Sequence, residues 1–154
     1  MTEQETVRWL SRAYWLRLKI ERMQEHRREN AMLIEGAKGI DYAKEMIRGG
    51  TPTTLEDAVL RLVDLDAKLA AEIQRYSVMV DEITAVIRSV EDERLATLLY
   101  LRYVKGERME RIACEMGYVW RHIMRLHRRA LAAVCKILSA PKQDVIECHP
   151  LDMI

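Results

Sequence analysis

Arg108–Leu131, RMERIACEMGYVWRHIMRLHRRAL, sets the reading of the chain. Ile112 and Ala113 end a short amphipathic repeat, Gly117 follows Ala113 by four residues, and Ile123 and Leu126 open a second apolar stripe. A small Ala lets a second helix cross close by, and Gly accepts the positive φ that a tight inter-helix turn demands. The spacing predicts a helix-turn-helix, with Ile112, Met116, Ile123 and Leu126 filling the corner between its helices.

The second helix divides into two faces. At 3.6 residues per turn, Ile123, Leu126, Ala130, Val134 and Ile137 fall together, while Arg121, Arg125, Arg128, Arg129 and Lys136 fall opposite. No Asp or Glu occurs from Met116 to Gln143, although 24 acids among 154 residues would place about four there. A cationic helix face free of carboxylates suits a phosphate backbone. The plainer reading is a solvated surface, and the helix-turn-helix spacing just ahead of the charges weighs against it.

Ser89–Leu131, SVEDERLATLLYLRYVKGERMERIACEMGYVWRHIMRLHRRAL, is similar to region four of bacterial sigma factors. The likeness lies in the leading helix, the Leu-Arg-Tyr before Gly106, and the Arg-Ile-Ala, Gly-Tyr and Arg-Ala-Leu elements. GYVWRHIMRLHRRAL more closely resembles phage and prophage transcriptional regulators of the ArpU/RinA type, and the helical front half and closing VIECH also fit that group. The resemblance implies a sequence-specific DNA-binding regulator of phage or prophage genes in the cytoplasm of a bacterial host. Its partners would be double-stranded DNA and, through the sigma-like end, RNA polymerase. Arg121, His122, Met124 and Arg125 would then reach base edges, with Trp120 at the groove edge and Arg128, Arg129 and Lys136 on phosphates. One residue departs from the pattern: Val119 stands where the family has Ser or Thr, and losing a side-chain cap costs about 0.5–2 kcal/mol.

Upstream, residues from about Glu3 to Glu35 lack Pro and Gly and repeat apolar side chains at Trp9, Ala13, Leu16, Ile20 and Met23, predicting a long helix. Trp9 and Trp15, at helical spacing, are expected in the core or facing a partner rather than stacking on bases. Gly36–Thr53 reads as an irregular connection with room for a short helix at Ile40–Ile47, and Thr54 with Asp57 reads as a capping box. Leu55, Val59, Leu62, Asp66, Leu69, Ile73, Tyr76, Val80, Ile83 and Ile87 then alternate steps of four and three, a heptad seam about 50 Å long. Its cover is either the first helix folded back or the same helix of a second copy, which leaves a homo-oligomer through Leu55–Ile87 open. In a hairpin, Asp66 would meet Arg27 or Asn30 in a buried polar contact that fixes the register. Ser89 with Asp92 reads as a second capping box, Leu95 to Tyr103 as a further helix closed by Gly106, and Pro141 as the stop of the last helix.

The expected architecture is all-α: a long helical hairpin or coiled coil over residues 1–88, a helix-turn-helix domain over 89–140 and an extended tail over 141–154. The net charge of +1 hides an asymmetry, since residues 55–90 hold four cations and seven acids whereas residues 91–140 hold ten cations and six acids. Cys114, Cys135 and Cys148 are odd in number and irregular in spacing, which argues against a disulfide framework. Charges interrupt every apolar run before membrane length, and the N-terminus carries no signal-peptide pattern. Nucleophile–base sets, paired carboxylates and metal-ligand clusters are lacking, so neither an enzyme nor a cofactor is expected; Cys148-His149 alone does not make a metal site. Two other classes stay open: a helical oligomerisation scaffold, and a DNA-recognition subunit of a phage packaging machine.

Overall fold

The computed structural model describes residues 1–38 and 55–141, and every regular element among them is helical. The Ile40–Ile47 helix, the Thr54 cap, and the tail with Cys148, His149 and Pro150 lie outside the described residues.

Helix α1 spans Glu3–Lys38 and α2 spans Leu55–Arg88. Gly36, expected in the connection, belongs to α1. Thr2 and Glu5 form a reciprocal capping box that the sequence reading overlooked: the Thr2 N–H donates to Glu5 Oε2 at 2.6 Å, and the Glu5 N–H donates to Thr2 Oγ1 at 3.2 Å. The first of these bonds, from the Thr2 backbone, holds the Glu5 carboxyl below its usual pKa.

The two helices pair antiparallel within the chain, so α1 covers the seam of α2. Ion pairs mark the register along their length: Arg12 with Glu82 at 3.2 Å, Lys19 with Glu72 at 2.8 Å, and Arg27 with Asp66. The expected Asp66–Arg27 contact is present, but both side chains are 43% exposed, so it is not the buried contact expected. Asn30 contacts His26 instead. Register therefore rests on apolar burial. Leu16, Ile20 and Leu69 form one cluster midway along the hairpin, and Leu10, Ala13, Ile83 and Ile87 join the larger core at its base.

The seam is only partly covered. Leu69, Ile83 and Ile87 are buried, whereas Leu55, Val59 and Ile73 are exposed.

Helix α3, Glu93–Leu99, starts at Asp92, whose carboxylate accepts from the Arg94 N–H at 3.0 Å. The expected Ser89–Asp92 box does not form. Ser89 still belongs to the closing turn of α2, where its hydroxyl donates to the Ala85 carbonyl at 3.1 Å, and Asp92 is itself the cap. The side chain of Arg94 bonds the same carboxylate and holds it below the usual range.

After Leu99 the helix widens into a π turn over Tyr100–Val104, with the Lys105 N–H bonded to the Tyr100 carbonyl at 3.0 Å. Gly106 then leaves it at φ +74°. The turn puts Tyr103 into the core while Arg102 points out and donates to the Glu107 carbonyl at 3.0 Å.

Helix α4 spans Met109–Met116 and α5 spans Trp120–Ser139. Leu98, Leu99, Ile112, Ile123, Leu126 and Val134 are fully or almost fully buried in the same core that holds Leu10 and Ile83. The long hairpin thus lays its base against the short helices. At the far end of α5, Cys135 Sγ donates to the Met1 carbonyl at 3.0 Å.

Candidate nucleic-acid interface

Gly117 ends α4 at φ +70°, ψ +31°. Its N–H donates to the Cys114 carbonyl at 3.2 Å, and the Tyr118 N–H donates to the Ala113 carbonyl at 2.9 Å. This bond pair is a Schellman motif, which satisfies the last carbonyls of α4 and turns the chain into α5. Tyr118 fixes the corner from outside, its ring meeting His122 edge-on at 4.6 Å. The Asp92 carboxylate, bonded to the Arg94 side chain, raises the Arg94 guanidinium above its usual pKa.

Val119 is the N-cap of α5, extended at φ −74° and ψ 154° with no side-chain cap bond. The missing cap expected from the sequence is therefore a feature of the fold. The first N–H groups of α5 have no cap oxygen, and the Val119 side chain is 73% exposed.

Arg121, Arg125, Arg128, Arg129 and Lys136 are all exposed along one side of α5, opposite the buried Ile123, Leu126, Ala130 and Val134. None of these five cations pairs with a carboxylate among the described residues. Cations elsewhere commonly do, as Arg12, Lys19, Arg27, Arg94 and Arg111 illustrate. The other sequence-predicted residues differ in placement. Trp120 is half exposed at the first turn, whereas Met124 packs partly on the core and His122 is engaged with Tyr118.

His127 lies on the inner side of α5 and bonds the Tyr103 hydroxyl at 2.9 Å. Burial lowers the imidazole pKa, with Arg102 adding to the effect, and burial pushes the Tyr103 phenol up to about 12. A neutral pair results. It pins α5 to the π turn, and periodicity carried no signal for it because a π turn breaks the 3.6-residue count on which the reading relied.

Trp9 and Trp15 have separate fates. Trp9 packs partly on the core, with the Arg12 guanidinium 4.7 Å from its ring centroid. Trp15 is 65% exposed and lines a cavity of about 640 Å³ with Tyr14, Arg102, Arg108 and Trp120. Among the described residues no group of three or more His, Cys, Asp or Glu could hold a metal ion, and no helix is long and apolar enough to cross a membrane. Set against protein-family models, curated proteins and solved structures, the chain matches none.

Proposed function

We propose that this chain is a sequence-specific DNA-binding transcriptional regulator, with α4 and α5 as its helix-turn-helix and α5 as the recognition helix. One observation carries the reading: five exposed cations share one side of α5 without carboxylate partners. Leaving them uncompensated keeps local charge repulsion that a bound polyanion removes. Arg121 and Arg125, on the first turns, are assigned to base edges, with Met124 and His122 beside them and Trp120 at the groove edge. Arg128, Arg129 and Lys136 are assigned to phosphates. The resemblance to ArpU/RinA-type regulators and sigma region four adds phage or prophage genes as the setting and RNA polymerase as a further partner.

The test is selection of bound duplexes from a random pool, followed by a salt titration. With about three to five phosphates contacted per protomer, log K against log salt is expected to slope at about −3 to −4.5. A pool that yields no reproducible motif, or binding without salt dependence, rejects the proposal.

A second reading, a helical oligomerisation scaffold or a DNA-recognition subunit of a phage packaging machine that assembles through its long helix, has its own support. Met32 and Leu33 of α1 and Leu55, Val59, Leu60 and Val63 of α2 are exposed toward the far end of the hairpin. Apolar side chains grouped this way favour association, so a homo-oligomer through α2 belongs to this reading. A monomeric mass in solution together with specific DNA binding would favour the regulator acting alone.

A further inference from the structure

The cavity beside Trp120 has no role in the arrangement described so far. It lies between α1 and the short helices, and its lining includes Ser11, Tyr14, Trp15, Arg102, Arg108 and Trp120. Trp15 and Trp120, 65% and 50% exposed, present large apolar faces to solvent. Arg108 has no carboxylate partner among the described residues, and Arg102 has committed one donor, to the Glu107 carbonyl. Glu110 is the one carboxylate in the lining. Beside the cavity, Arg17 donates to the Lys105 carbonyl at 3.3 Å and packs against Gly106, and because it pairs with Glu21 at 3.7 Å it adds no net charge. The surface is therefore aromatic and, with Arg102 and Arg108 against Glu110, net cationic, and Trp120 joins it to the start of α5.

We infer that this groove receives the sugar–phosphate backbone of DNA flanking the sequence read by α5, with Arg102 and Arg108 on phosphates and Trp15 and Trp120 against deoxyribose. The inference rests on the DNA-binding proposal above. Aromatic faces suit the apolar side of a sugar, and guanidinium forks suit phosphate oxygens, so the two residue types match the alternation of the backbone. An acidic protein segment would satisfy the charge as well. Nucleic acid is favoured because Trp120 is both the wall of the groove and the first residue of α5. On this reading α1 is part of the DNA interface as well as the cover of α2.

The experiment uses the full chain with a pool-selected duplex in two lengths, one trimmed to the motif and one extended by about one helical turn on each side. Hydroxyl-radical footprints are taken in parallel. The wild type should protect backbone outside the motif and bind the longer duplex about tenfold more tightly. Trp15→Ala and Arg108→Ala should each lose those outer protections and reduce the difference between the two lengths to about twofold or less, while affinity for the trimmed duplex holds. Trp15→Phe, which keeps an aromatic face, should retain most of the effect. Thermal melting confirms that the exposed-site variants are folded. If both Ala variants keep the outer protections while binding the motif, this inference is overturned and the DNA-binding proposal stands. If the wild type binds neither duplex, both fail.

Discussion

The Tyr103 hydroxyl lies 2.9 Å from Nε2 of His127, joining the π turn after α3 to the inner side of α5. Both rings are largely withdrawn from water, and each is held in its neutral form. Because protonating His127 is harder in the fold, the unfolded chain binds more protons once the pH drops below the ordinary imidazole value of about 6.5. The contribution is whole above that pH and is lost as the pH falls through the lowered folded value. The denaturant midpoint should therefore decline as the pH falls below about 6.5, and His127→Gln should flatten the decline. At the alkaline end, Tyr103 contributes stability that is lost as the pH rises from about 10, where the unfolded phenol ionises, to about 12. Tyr103→Phe should cost about 1 kcal/mol near neutral pH, measured by urea unfolding.

The start of α5 offers a gain. Val119 has the backbone of an N-cap without a side chain that can accept, and it is too exposed to contribute packing. Val119→Ser should stabilise the protein by about 0.5–2 kcal/mol, read as a higher melting temperature without DNA.

Two glycines of similar conformation should respond differently. A Cβ on Gly117 meets nothing within 4 Å, so Gly117→Ala should cost about 1–2 kcal/mol from the left-handed backbone alone. A Cβ on Gly106 would also lie 2.6 Å from a terminal nitrogen of Arg17. That nitrogen ends a flexible side chain that can move aside, so Gly106→Ala should exceed Gly117→Ala only by what Arg17 loses on leaving the Lys105 carbonyl, and this small excess should disappear in an Arg17→Ala background. A double-mutant cycle measures that coupling.

The proposed roles on α5 separate in binding. Arg121→Ala and Arg125→Ala should each lose about 1–3 kcal/mol on the selected sequence and little on scrambled duplexes. Arg128→Ala and Arg129→Ala should weaken both and reduce the salt slope by about one unit each. Fluorescence anisotropy across a salt series tells the two patterns apart.

Leu10 is fully buried in one core with Ile83 from α2 and Leu126 and Val134 from α5. Leu10→Ala should cost about 2–5 kcal/mol and shift a single unfolding transition that includes α5. A fragment of residues 89–140 should keep helical circular dichroism yet melt earlier and more broadly, since it lacks Leu10, Ala13, Ile83 and Ile87.

The two faces of α5, the glycine turn at Gly117 and the uncapped Val119 were legible because they depend on residues within a few positions of one another. A period of 3.6, a left-handed turn and a missing hydroxyl are local properties. The same reasoning misplaced the cap before α3, because Ser89 and Asp92 have the right spacing for a box whichever helix claims the serine. Only the fold gave Ser89 to α2.

The sequence by itself determined an all-helical chain, its apolar stripes, and a cationic face without acids from Met116 to Gln143. It could not say what covers those stripes, since a heptad seam accepts any complementary helix. The tertiary structure decided that α1 covers α2, through contacts such as Arg12 with Glu82, 70 residues apart. It also placed Tyr103 on His127, 24 residues away, and turned Trp15 outward beside Trp120 while Trp9 packed on the core. The physical reason is common to all three: each is set by where separate helices come to lie against one another, which depends on side chains distant in the chain and on a π turn that no helical period anticipates.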